Sequence, residues 1–195
     1  MKSLSKINAK FLDLIKVDEQ AATNNTNEAL ENISSLFELP NTIPPIKFER
    51  DDAYFKKKPN SIATYDNQKK SIAINPNYLE SALGRGAIYH EFAHYIWDTA
   101  DLNPAKLSEL LTVIKSTNAC NRAILEDKRK GEKYWSREEE LWARALAQYI
   151  CEGVNDKKAL EWLTKANIQW EEIEFVLLRN SIGKALRRIG ITVRR

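Results

Sequence analysis

The chain has 195 residues, 43% of them hydrophobic, and a formal net charge of +3. That size fits one domain with a real core, and near-balanced charge does not by itself point to nucleic acid. No unbroken apolar leader and no apolar run of membrane-spanning length occurs, so a soluble, cytoplasmic protein without a membrane partner is expected.

The first elements are helical and then extended. Residues 4–17 space Leu4, Ile7, Phe11, Leu14 and Ile15 as one helical stripe. Residues 21–27 read as a loop. Asn25 and Glu28 form a capping box for a second helix, with Leu30, Ile33, Leu36 and Phe37 on its apolar face and Pro40 as its stop. Pro44-Pro45 precedes a short strand, Ile46 to Glu49. Residues 61–65 and 71–74 are two β-favouring runs around the turn 66–69, which together predict a hairpin at a sheet edge.

From there the pattern is helical. Residues 76–83 predict one helix, Gly84-Arg85-Gly86 an interruption, and residues from 87 to about Asp98 a second. A helix opening at Asn103-Pro104 carries Leu107, Leu110, Leu111 and Ile114. Residues 118–130 form the next, stopped by Gly131. Ser136 with Glu139 predicts a capping box, and behind it Leu141, Trp142, Ala145, Leu146, Tyr149 and Ile150 face the core. Residues 155–165 and 170–189 give two more helices. The basic excess lies late, at Arg179, Lys184, Arg187, Arg188, Arg194 and Arg195, and reads as a solvated face rather than a nucleic-acid site. Cys120 and Cys151 lack CxxC spacing and fit reduced thiols.

The only two histidines stand four residues apart in His90-Glu91-Phe92-Ala93-His94. On a helix that spacing stacks two imidazoles one turn apart on one face, where both can ligate one Zn²⁺. Glu91 sits about 100° round the helix, in reach of a metal-activated water, as a general base requires. This is the HExxH pattern of zinc metallopeptidases. No charged residue other than Glu91 lies between Ala87 and Trp97, so the helix reads as buried. A catalytic zinc commonly has three protein ligands, and no histidine is left for the third. Glu140 is favoured: Glu139 is engaged at the helix start, Ala143 permits close helix approach, and Arg144 lies one turn on to orient the ligand or receive substrate charge. Glu139, Asp98 and Asp101 are the alternatives.

The order hairpin, HExxH, then Glu139-Glu140-Leu141-Trp142-Ala143-Arg144 resembles the gluzincin clan of zincin metallopeptidases. More narrowly, it resembles minimal gluzincins and zincin-like domains of phage and mobile-element proteins. The resemblance covers about residues 46–152. It implies an α+β, mainly helical zincin-like domain with a small edge sheet packed on the HExxH helix, flanked by helices in 1–40 and 155–195. It implies zinc on His90, His94 and a glutamate, Glu91 as base and proton shuttle, and a peptide or protein substrate. Trp97 and Ala100 stand where metzincins need glycine and a ligand, which excludes that branch. Arg144 replaces the aspartate that many gluzincins place there. No further histidine exists to stabilise an oxyanion, so Tyr149, Tyr95 or Arg144 would have to serve. The rival expectation is a non-catalytic interaction or structural module of a phage or mobile-element system.

Overall fold

The structure is a computed structural model that describes residues 7, 9–100, 107–165 and 169–194. In chain order its elements are α1 (Ala9–Asp13), β1 (Ile15–Val17), α2 (Asn24–Leu36), β2 (Phe37–Glu38), β3 (Ile46–Glu49), α3 (Asp52–Lys57), β4 (Ala63–Asp66) and β5 (Ser71–Ile74). A 3₁₀ turn (Pro76–Tyr78) leads into α4 (Ala82–Thr99), α5 (Ser108–Lys115), α6 (Asn118–Lys130), α7 (Glu138–Gly153), α8 (Lys157–Lys165), α9 (Glu172–Arg188) and β6 (Thr192–Val193). The fold is α+β and mainly helical, as the sequence predicts.

The main sheet has the order β1-β3-β5-β4, parallel except for the antiparallel β4–β5 hairpin. The hairpin forms with Tyr65 opposite Ile72, and Lys70 takes a left-handed φ of 51° in its turn. β4 is therefore an edge strand, as expected. A separate pair joins β2 to β6 and ties the end of α2 to the C-terminal segment.

Several boundaries differ from the sequence reading. Residues 9–17 are a short helix and then a strand, because β1 pairs in parallel with β3 and extends the chain from Ile15. The cap of α2 is Thr23, whose hydroxyl accepts from the Thr26 amide, not Asn25 with Glu28. Phe37 entering β2 ends α2, ahead of Pro40. Ser136 does not cap α7; Arg137 occupies that position without a side-chain bond. Leu4, Asp101 and the Asn103-Pro104 start lie outside the described residues.

Gly84 and Gly86 sit inside α4 and do not interrupt it. A Cβ on Gly86 would lie 2.8 Å from the Trp162 ring, and one on Gly84 would lie 2.4 Å from the Tyr78 carbonyl. Glycine is there for close approach of α8 and of the preceding turn, which outweighs its low helix propensity.

The centre of the core is the pairing of α4 with α7. Ala93 and Ala143 are fully buried, and the buried Trp142 indole donates to the Ala93 carbonyl at 2.9 Å. Small residues let the two backbones meet, and the indole satisfies its own polar atom. A second tie is charged. Arg85 grips Asp156 in a two-point bond (2.8 and 3.0 Å) and reaches Asn25 on α2. Asp156 also accepts from the Tyr89 hydroxyl and the Ala159 amide, which starts α8. Buried charge is tolerated here because each oxygen has partners.

On α9, Lys184 and Arg188 pair with Glu109, and Arg179 pairs with Glu152, so much of that basic face is neutralised. Both thiols are buried, and burial raises their pKa, which disfavours the thiolate a metal needs. Among the described residues, no helix is long and apolar enough to cross a membrane.

Candidate metal centre

α4 presents His90 and His94 on one face, and α7 packs Glu140 against them. The two Nε2 atoms are 3.1 Å apart. Glu140 Oε2 lies 3.4 Å from His90 Nε2, and Oε1 lies 3.4 Å from His94 Nε2. A tetrahedral zinc with bonds of about 2.0–2.1 Å needs ligand atoms about 3.3 Å apart. The three residues thus fit one metal ion, and they form the group that could hold one among the described residues.

The electrostatics agree with a cation site. Glu140 is buried, which opposes its charge, yet His90 and His94 hold its carboxyl well below the usual range. Burial also opposes a charged His94, but Glu140, Glu91 and Glu139 outweigh it and raise that imidazole's pKa. The Glu140 carboxylate and the His94 imidazole thus favour each other's charged form.

Glu91 is half-buried, and its carboxylate has no hydrogen bond or ion pair among the described residues. It lines the openings on both sides of the triad. On the His94 side a cleft of about 520 Å³ is bordered by Ala63, Thr64 and Tyr65 of edge strand β4. On the His90 side lies a cavity of about 300 Å³, with Arg144, Trp135 and Trp162 in its wall. A larger depression of about 940 Å³ touches none of the triad, so size alone does not mark the site.

The other expected residues divide. Glu139 is a half-exposed neighbour, 3.8 Å from Arg137, and not a member of the triad. Asp98 accepts from Tyr65 (2.7 Å) and pairs with Lys70, so it pins the hairpin to α4 and is not a ligand. Tyr95 is buried and donates to the Pro44 carbonyl, away from the centre. Tyr149 stacks on Phe37, 6.3 Å between ring centroids. Nine residues after Glu140, it falls half a turn round α7 on the opposite face, so it cannot serve the site. Arg144 is at the site but not on the triad: it is 4% exposed, donates to the Trp135 carbonyl and lies 5.3 Å from the Trp135 ring. Burial lowers its pKa, partly offset by Glu140 and Tyr134.

Tyr134 went unread in the sequence. It lines both openings. Burial, then Glu140 and Glu91, raise the pKa of its phenol, so it stays a proton donor. It is placed by Asp127, whose carboxylate accepts the backbone amides of Tyr134 (2.8 Å), Trp135 (2.6 Å) and Ser136 (2.8 Å). The available signal was an aromatic pair in a short loop just before the ligand helix.

Residues 126–167 match the family described as large polyvalent protein-associated domain 1, a domain associated with phages and mobile elements. The match spans Asp127, the Tyr134 loop, Glu140, Arg144 and α8, and it excludes both histidines. No curated protein and no solved structure matches the chain.

Proposed function

We propose that the chain is a zinc-dependent peptidase of gluzincin type. The observation that carries this reading is a Glu91 carboxylate without a partner among the described residues, beside a His90–His94–Glu140 triad on a cleft walled by an edge strand. Edge strand β4 can take an extended peptide by backbone pairing and lay it across the centre. Zinc, when bound, would supply a Lewis acid that polarises the scissile carbonyl and acidifies water. Glu91 takes the proton of the attacking water and hands it to the leaving amine. Tyr134, kept protonated, donates to the developing oxyanion, the part for which the sequence offers Tyr149, Tyr95 or Arg144.

Elemental analysis should find about one zinc per chain, and His94→Ala should lose it. Glu91→Gln should keep metal and melting temperature while hydrolysis of unfolded casein falls about 10²–10⁴-fold. Full activity in that variant would remove Glu91 as base. A non-catalytic module of a phage or mobile-element system is the second reading, favoured by the family match. It would prevail if zinc binds stoichiometrically and no protein or peptide substrate is cut.

A further inference from the structure

Four buried side-chain polar atoms lack a hydrogen-bond partner among the described residues: Trp135 Nε1, Arg144 Nη1, Gln169 Oε1 and Glu174 Oε2. The first three belong to side chains that line the single cavity of about 300 Å³ on the His90 side of the metal centre. Buried polar groups are rarely left unpaired, and each such atom in a native fold calls for a partner. Three in one cavity point to one occupant.

The chemistry of that occupant follows from the atoms. Two are donors, one of them on a guanidinium that is 4% exposed and fixed by its bond to the Trp135 carbonyl. A guanidinium held rigidly with a free N–H suits a carboxylate. Gln169 supplies an acceptor, which suits the N–H of an amino-acid residue and not a bare inorganic anion. Ala87 and Trp162 give the cavity apolar walls for a methylene stem. Glu91 and Glu140 also border it and repel an anion. With a divalent ion on the two histidines and Glu140, however, that centre carries +1, Arg144 adds another and Glu91 removes one, which leaves the lining net positive.

We infer that this cavity is a specificity pocket for a substrate carboxylate, held by Arg144 and Trp135 beside the metal centre. The inference rests on the peptidase reading for the nature of the bearer, a peptide. The carboxylate has two sources, an acidic side chain or a free C-terminus, and they are separable.

The test is binding, not turnover. Four probes each carry a metal-binding hydroxamate coupled to one residue: Glu, Gln or Leu with an amidated C-terminus, and Leu with a free one. Each is titrated by calorimetry into zinc-loaded protein. The expected result is at least about tenfold tighter binding of the Glu amide, or of the free-C-terminus Leu probe, than of the Gln and Leu amides. The winner identifies the source. Arg144→Met should erase the preference while one zinc per chain and the affinity of the Leu amide persist. Should Arg144→Met fail to fold, Trp135→Phe keeps the ring, removes the indole donor and should cut the preference about threefold. Affinities within about twofold across the four probes, or a preference that survives both substitutions, would overturn the pocket. Absence of hydrolysis with the preference intact would overturn only the peptidase reading.

Discussion

Asp127→Asn tests how the site is assembled, because it changes one atom that never touches the metal. Asp127 Oδ1 accepts from Tyr134 and Trp135, and Oδ2 accepts from Ser136. An asparagine keeps the first two bonds as neutral ones. Its amide nitrogen then faces the Ser136 N–H, donor against donor. Hydrogen bonds to charged groups contribute about 1.5–3 kcal/mol and neutral ones about 1, so one lost bond and two weakened ones cost about 2.5 kcal/mol or more. For a chain of this size that lowers the melting temperature by about 5–15 °C.

The pH dependence has a definite sign. Burial disfavours the charge, but the bonds from Ser136, Tyr134 and Trp135 hold the carboxyl at about 2, below an unfolded value of about 3.9. A depressed carboxylate stabilises fully above its unfolded pKa and loses that contribution as pH falls through the folded one. Calorimetric melting of both proteins should therefore show a gap that is constant from pH 7 to about 5 and narrows from about 4 towards 2. Equal melting temperatures at pH 7, or a gap unchanged at pH 2, would refute the assignment of the loop's order to Asp127.

Two further outcomes concern the centre directly. Glu140→Ala should weaken zinc binding by more than about 100-fold, beyond what loss of a supporting residue does, while Glu139→Ala stays within about threefold; competition with a fluorescent chelator measures both. A reversed order would make Glu139 the ligand. Tyr134→Phe should leave zinc affinity unchanged and lower kcat about 10²–10³-fold with KM little altered. A change in KM alone would make Tyr134 a substrate contact and not an oxyanion donor.

What could be read from sequence was local. His90 and His94 lie on one helix, so their spacing alone stacks them. Glu140 was reachable because a metal on the two histidines would need a third ligand and Ala143 signalled close helix contact. Glu139 does not close a capping box, since Asp127 binds the Ser136 amide, so Glu140 is singled out by its packing against α4 and not by a competing task for Glu139. The hairpin was legible because its pairing spans one turn. β1 was not, because it pairs with a strand thirty residues on. The glycines of α4 looked like a break because propensity is local, whereas Trp162 and Tyr78 that press on them are brought by the fold. Tyr134 was hidden because a side-chain carboxylate, Asp127, sets its loop, and no helix or strand period marks such a contact. Tyr149 is a different kind of error, since its half-turn offset from Glu140 follows from helix geometry and could have been counted.

The apolar α4–α7 contact bears on how the protein would handle a metal at this site. The helices that carry the ligands are joined independently of any ion, by buried alanines, by the Trp142–Ala93 bond and by the Arg85–Asp156 link through α8. Small zinc modules fold only when loaded. Here the site is built without an ion, so a metal held there would leave under chelation without unfolding the chain and would return when added back. Binding then raises stability only by mass action, with free metal concentration. On the peptidase reading, such a protein would be carried as an inert apo form and switched on where metal is supplied.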